Sequence, residues 1–378
     1  MFQQRSGAHP FRRRVRSFFV LLALAASGLA CEKEGAAVTE TKALSAAPAA
    51  PATPTPPARE HVSVSLFSWP GYGFWFVARE LNLAPQLDLD IQIIEDPVQS
   101  YTLMAAGKLD VISSTIEYGP IAAETKNPAR IVTLANLSYG TDKLVLAPSV
   151  QSAADLVGKS VAVMQGGLSQ IYMGIWLDEH GVDAEKVTFA NLIMDDAAAA
   201  MMSGKVAAAE LWEPFAGKVV GSLKGSRVVA QSKEPAWLQR ALLADAMYMS
   251  SSFIEQRRPI ALATLRAYYA ALDYWMKHPA EANAIIAKGI KFELADVESV
   301  IGTSGKSRDG GLYMYDLDEA ARFMGVKPGA PPFNQSNGQI QAHFVLTNQW
   351  WQKFGLVKGQ QALADGVDTS VIAALVSP

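Results

Sequence analysis

With a single cysteine in 378 residues, the chain has no internal disulfide framework and no cysteine-rich metal centre. Histidine is nearly as scarce. The five present, His9, His61, His180, His278 and His343, leave little for ligation or proton shuttling, so neither a metal nor a cofactor is expected. An excess of one charge is missing too: 33 Lys and Arg against 36 Asp and Glu leave a formal net charge of −3. Five arginines are confined to the first sixteen residues, so no field remains that would gather nucleic acid. What is present is apolar residue, 50% of the chain against 18% charged, enough to build a real core and too much for a disordered protein.

The basic run Arg12, Arg13, Arg14, Arg16 leads into an apolar stretch from Phe18 to Ala30 that ends in small residues. Too short to span a bilayer comfortably, it reads as a signal peptide over residues 1–30, removed on export. The lone Cys31 stands directly after it, before Glu32-Lys33-Glu34, and this junction resembles the cleavage and lipidation site of bacterial lipoproteins. The usual Leu position three residues ahead of the cysteine is Gly28 here. A diacylated cysteine would hold the protein at a membrane with no transmembrane helix in the mature chain. Residues 31–59 are rich in Ala, Thr and Pro, with Pro48, Pro51, Pro54, Pro56 and Pro57. Such a segment favours extended polyproline II and reads as a semi-stiff tether.

From His61 onward the pattern alternates strand and helix. Val62–Phe67 and Leu87–Ile94 have the period of two expected of strands, and Pro97–Ala106 reads as a helix. Short apolar runs at Val111, Arg130, Lys143, Ser160, Val187, Val206 and Ser226 continue the strand series, with helices between them. After Tyr248 the chain turns strongly helical, most clearly over Pro259–Lys277 and Gly338–Phe354. The fold class is α/β, and its length favours two lobes over one continuous sheet, with ligands at the strand ends.

The ordered set Trp69-Pro-Gly-Tyr72, Ala105-Ala-Gly-Lys-Leu-Asp110, Gly166-Gly-Leu-Ser-Gln-Ile-Tyr172, Gly204-Lys-Val-Ala207 and Leu211-Trp-Glu-Pro-Phe215 resembles periplasmic solute-binding proteins. The group it resembles serves ATP-driven importers of nitrate, taurine, alkanesulfonates and thiamine-precursor pyrimidines, and the likeness runs from about Val62 to Lys277. It implies a type II binding-protein fold, two lobes joined by two hinge crossings near Leu144–Pro148 and Ala244–Ser250. Lobe 1 is then 60–147 with 247–378, lobe 2 is 148–246, and the C-terminal helices pack back on lobe 1. It also implies a small-molecule solute, an ABC permease as partner, a monomeric receptor and no enzyme activity. Two other roles stay open. One is a periplasmic sensor for a signalling partner, and the other is an enzyme like the pyrimidine synthase of yeast, for which the histidines here form no constellation.

Candidate ligand contacts follow from strand-end positions and from that likeness. Trp69 and Tyr72 flank glycines on the first turn and read as pocket rings, with Trp75 equally placed for pocket or core. Ser113, Ser114 and Thr115 end a strand, where capping and ligand binding coexist, and Tyr118 follows in the next turn. Tyr139 sits in a polar loop that the likeness places at the ligand. Gly166, Gly167 and Ser169 form a strand-to-helix turn read as the strongest anion-recognition element, with Tyr172 one turn on. No Gly-Lys-Ser/Thr follows that turn, so phosphate hydrolysis lacks its loop. Glu210, Trp212 and Glu213 come from the second lobe, and Asp245 lies beside the return hinge. If Glu210 or Glu213 points inward the ligand carries an amine, amidine or ring donor; if both are solvated, a plain anion stays possible. None of these segments contains arginine, which weighs against a simple sulfonate or nitrate pocket.

Overall fold

The computed structural model describes residues 58–126 and 128–377. The signal peptide, Cys31 and nearly all of the tether lie outside the described residues. The described strands are β1 (Glu60–Leu66), β2 (Leu87–Ile93), β3 (Val111–Thr115), β4 (Ala129–Ser138), β5 (Lys143–Leu146), β6 (Ser160–Val163), β7 (Thr188–Asn191), β8 (Ala208–Leu211), β9 (Arg227–Gln231), β10 (Ala244–Ser250) and β11 (Leu312–Met314). They form two sheets, one ordered β11-β4-β10-β3-β1-β2 and the other β7-β6-β8-β5-β9. In each, three parallel strands meet one strand running the other way: β10 beside β3, and β5 beside β8.

Both faces of the first sheet are covered, so β1 buries Ser63 and Ser65 on one face as well as Val62, Val64 and Leu66 on the other. Local signals fix the ends of several helices. Asp96 accepts from Val98 N–H at 2.9 Å with Pro97 at the first helical position, which starts the helix Pro97–Ala105. Ser250 accepts from Phe253 N–H at 3.1 Å and starts Ser251–Gln256 straight after β10. The long helix Arg258–Lys277 buries Tyr268 and Trp275 against Phe74 and Trp75, with ring centroids 5.3 to 5.9 Å apart. Each fully buried ring of this size contributes roughly 1.5–3 kcal/mol through removal from water.

The segments that the family resemblance implies as hinge crossings, Leu144–Pro148 and Ala244–Ser250, lie largely within sheet strands. β5 lies inside the second sheet, bonded on both edges to β8 and β9, and β10 lies inside the first, between β4 and β3. Strands held on both sides cannot serve as connectors, so the chain crosses at residues 139–142 and returns at 232–243. Lobe 2 therefore starts at about Lys143 rather than at 148, and β10 belongs to lobe 1 from its first residue. Ser232 clasps the two crossings together: its hydroxyl meets Ser138 Oγ at 2.6 Å and accepts from Gly140 N–H at 2.8 Å. The return crossing carries two non-glycine residues in the left-handed region, Ala241 (φ 53°) and Leu243 (φ 66°). Such backbone costs on the order of 1 kcal/mol or more per residue and needs support. Buried Glu117 supplies it, accepting from Leu243 N–H at 3.1 Å.

The C-terminal helices return to the first lobe, where Trp351 Nε1 donates to Glu117 O at 2.6 Å. They also reach the second lobe. Phe354 packs against Phe189 at 5.2 Å, and Lys353 pairs with Asp178 at 2.7 Å.

Candidate functional site

Between the two sheets lies a closed cavity of about 10 Å³, room for about one water, so a solute enters only when the lobes part; it is lined from the first lobe by Phe67, Trp69, Thr115, Asn136 and Asp245 and from the second by Leu168 and Trp212, with Ser138, Asp142 and Leu243 at the crossings. Larger grooves lie outside it. One beneath Val98, Tyr101 and Tyr118 is bordered by the first lobe alone, so a molecule there would not draw the lobes together.

The rings come from both sides. Trp212 stacks on Phe67 with centroids 6.0 Å apart and meets Trp69 edge-on at 5.9 Å. Gly71 makes the turn possible: a Cβ there would stand 2.8 Å from both Trp69 Nε1 and Asn136 Nδ2. Asp245 is held by two donors, Trp69 Nε1 at 2.9 Å and Tyr72 OH at 2.6 Å. Burial drives its pKa up to about 8, with nearby Asp142 and Glu117 adding to the rise and the two hydrogen bonds opposing it. Asp142, at the first crossing, accepts from Thr141 Oγ1 at 3.0 Å, and burial raises its pKa as well. Glu210 is fully buried on β8 near Asp142, neither carboxyl oxygen having a hydrogen-bond partner; burial first, then the Asp142 charge, raise its pKa well above the ordinary carboxyl value.

Several polar atoms at the cavity wall have no protein partner: Asn136 Oδ1, Thr115 Oγ1 and Trp212 Nε1. All three residues are at least nine-tenths buried, and such atoms are costly to leave unbonded. No Arg, Lys or His is among the described residues lining the cavity.

Of the residues singled out from the sequence, Trp69, Trp212 and Asp245 line this cavity, Tyr72 stands next to it through its bond to Asp245, and Glu210 is buried beside Asp142. The others do different work. Trp75 is core, its Nε1 donating to Ser113 Oγ at 2.8 Å, which also takes Ser113 out of reach. Ser114 is buried and is not among the residues lining the cavity. Tyr118 lies over the Gly166-Gly167 turn, donating to Gln165 O at 3.2 Å, and so serves as a contact between lobes. Tyr139 stacks on Phe333 at 5.9 Å outside the cavity.

The anion reading of the glycine turn does not hold. Gly166 takes a left-handed backbone (φ 79°), but its N–H donates to Gln170 Oε1 at 2.8 Å, and that of Gly167 to Met164 O at 3.3 Å. Ser169 Oγ is bonded to Met164 N and O, and Tyr172 is buried edge-on to Trp237 at 4.5 Å. The turn closes on itself because a glutamine one helical turn later supplies the acceptor. Glu213 also points away, pairing with Lys143 and capping Gly217 N–H at 2.9 Å. Sequence reasoning missed Phe67, Asn136 and Asp142 as cavity residues. Asp142 carried the clearest signal, an acid in a glycine-containing loop directly ahead of an apolar strand.

Two α/β lobes joined by two crossings, with a cavity walled from both sides, define the class: a type II, periplasmic-binding-protein fold. The chain belongs to the NMT1/THI5-like family, whose model matches residues 70–282. Among curated proteins it is similar to a binding protein of Brucella abortus, 22% identical over 222 residues, covering 58% of this chain and 67% of that one. Among solved structures it is similar to the alkanesulfonate-binding protein SsuA from Xanthomonas axonopodis pv. citri bound to MOPS. The TM-score is 0.64 and the identity 14%, over 82% of this chain and 99% of that one. The periplasmic aliphatic sulphonate binding protein SsuA from Escherichia coli gives a TM-score of 0.61 at 16% identity, over 82% and 92%. The desulfurization enzyme DszB shares the fold too, with a TM-score of 0.55 at 16% identity, over 84% and 98%. At these identities the likeness establishes architecture and leaves the ligand open.

Proposed function

We propose that this protein is the extracytoplasmic receptor of an ABC importer, capturing a small polar solute between its lobes and presenting it to a membrane permease. The observation that carries this reading is the cavity whose unbonded buried atoms come from both lobes, Asn136 and Thr115 on one side and Trp212 on the other. A solute that bonds to both sides is fully held only in the closed state, so binding and closure are coupled. Family membership and the binding-protein neighbours support this reading over catalysis, as does a cavity wall without cysteine, histidine or lysine among the described residues. Native mass spectrometry of gently purified protein is expected to show one small molecule bound per chain, and calorimetry with that compound a one-to-one isotherm. Absence of any stoichiometric compound, with no response to a cell extract, would refute the receptor reading.

We also propose that the chain is exported and held at the envelope through lipidated Cys31, with residues 32–59 as the tether. A receptor kept near its permease in this way gains effective concentration without any new contact. Mass spectrometry of the mature N-terminus is expected to find Cys31 as the first residue, bearing acyl chains; an unmodified Cys31, or a mature chain starting elsewhere, contradicts it.

A further inference from the structure

We infer that the solute is a small organic cation carrying N–H groups together with one acceptor atom, of the amidinium or hydroxyalkylammonium kind. This rests on reading the interlobe cavity as the solute site.

Charge comes first. Two carboxyl groups, Asp142 and Asp245, line the cavity, a third, Glu210, is buried beside Asp142, and no basic side chain is among the described residues of the lining. Burial disfavours their ionised forms; a bound cation would offset that and let Asp142 and Asp245 ionise, whereas a bound anion would meet their acceptor oxygens with no cationic partner. Several donors that an anion would use are engaged, Gly166 and Gly167 N–H within their own turn and Trp69 Nε1 on Asp245, which leaves Trp212 Nε1 and Thr115 Oγ1 unbonded at the wall.

The second observation is independent of the acids. Asn136 is fully buried, and its Oδ1 is an unpartnered acceptor at the cavity wall, while its Nδ2 donates to Gly71 O at 3.5 Å. It asks the ligand for an N–H. Trp212 Nε1 is an unpartnered buried donor from the opposite lobe, and it asks for an acceptor atom. Phe67, Trp69 and Trp212 line the cavity with aromatic rings, whose faces can hold a cation. The chemistry therefore differs from that named for the sulfonate-binding neighbours, although the architecture is shared.

The test uses matched probes on the full mature chain, followed by thermal shift and calorimetry. Acetamidinium is compared with its neutral isostere acetamide, and ethanolamine with ethanesulfonate and taurine. The expected result is stabilisation by acetamidinium and ethanolamine, with acetamide at least about tenfold weaker. Asp142→Asn should weaken the cations by about 10- to 100-fold. Glu213→Ala, on the outer surface, should change them less than about twofold. The comparison of acetamidinium with acetamide needs no variant, so the inference stays testable if Asp142→Asn does not fold. Stabilisation by ethanesulfonate or taurine in place of the cations, or equal binding of acetamide and acetamidinium, overturns the cation assignment and leaves the receptor reading intact. If no probe binds and nothing in a cell extract does, the solute-site reading fails and the inference fails with it.

Discussion

Trp212→Ala is expected to lower affinity for the co-purified solute by about 100-fold or more while shifting the melting temperature of ligand-free protein only slightly. Trp212 is a large second-lobe side chain at the cavity that touches first-lobe rings, stacked on Phe67 and edge-on to Trp69. Removing the indole deletes a ring of the cage and the one unbonded donor, Nε1, that the second lobe offers the ligand. A buried aromatic anchor of this kind carries binding energy out of proportion to its area, because its contacts form only when the surfaces meet. Trp212→Phe separates the two contributions: it keeps a ring and loses the donor, so an intermediate loss is expected. Calorimetry of the three proteins decides the matter. An affinity within twofold of wild type for the alanine variant would remove Trp212 from the site, and a large drop in ligand-free stability would assign it to the core of its own lobe.

The second large effect is on stability against pH. Asp245 titrates near 8 in the folded chain, raised by burial, and Asp142 and Glu210 are raised as well. Unfolded, each returns to about 4. Between these limits the folded state holds protons that the unfolded state has released, so stability is greatest at low pH within the window. The Asp245 contribution falls as pH rises from about 4 towards 8, by up to about 1.4 kcal/mol per pH unit, and levels off above. Other carboxylates pull the opposite way, Asp155 and Asp309 being held low by backbone donors. The difference between wild type and Asp245→Asn is therefore the clean readout. Urea unfolding at pH 5, 6.5 and 8 is expected to show the variant gaining on wild type as pH increases. A constant difference across the three would show that Asp245 is already ionised throughout.

Much of the architecture was legible in residue patterning. The alternation at Val62–Phe67 and Leu87–Ile94, the helix read over Pro97–Ala106 and the long amphipathic run to Lys277 all correspond to elements of the structure, since each depends on neighbours a few residues away. Lobe boundaries were harder to place. A connector strand and a sheet strand have the same apolar alternation, and only the pairing of β5 with β8 and β9, and of β10 with β3 and β4, tells them apart.

The same division runs through the site. The ordered motifs were enough for an α/β protein of this family, and they gave Trp69, Trp212 and Asp245 as candidate contacts, which the structure brings to the cavity wall. Whether a polar group is free for a ligand depends on what else lies within about 3 Å, which order along the chain does not record. Gln170 quenches the glycine turn from one helical turn away, and Lys143 draws Glu213 outward from 70 positions back. Tertiary structure therefore decided which polar groups face the cavity, because hydrogen bonds and charges act over ångströms while the sequence records only order.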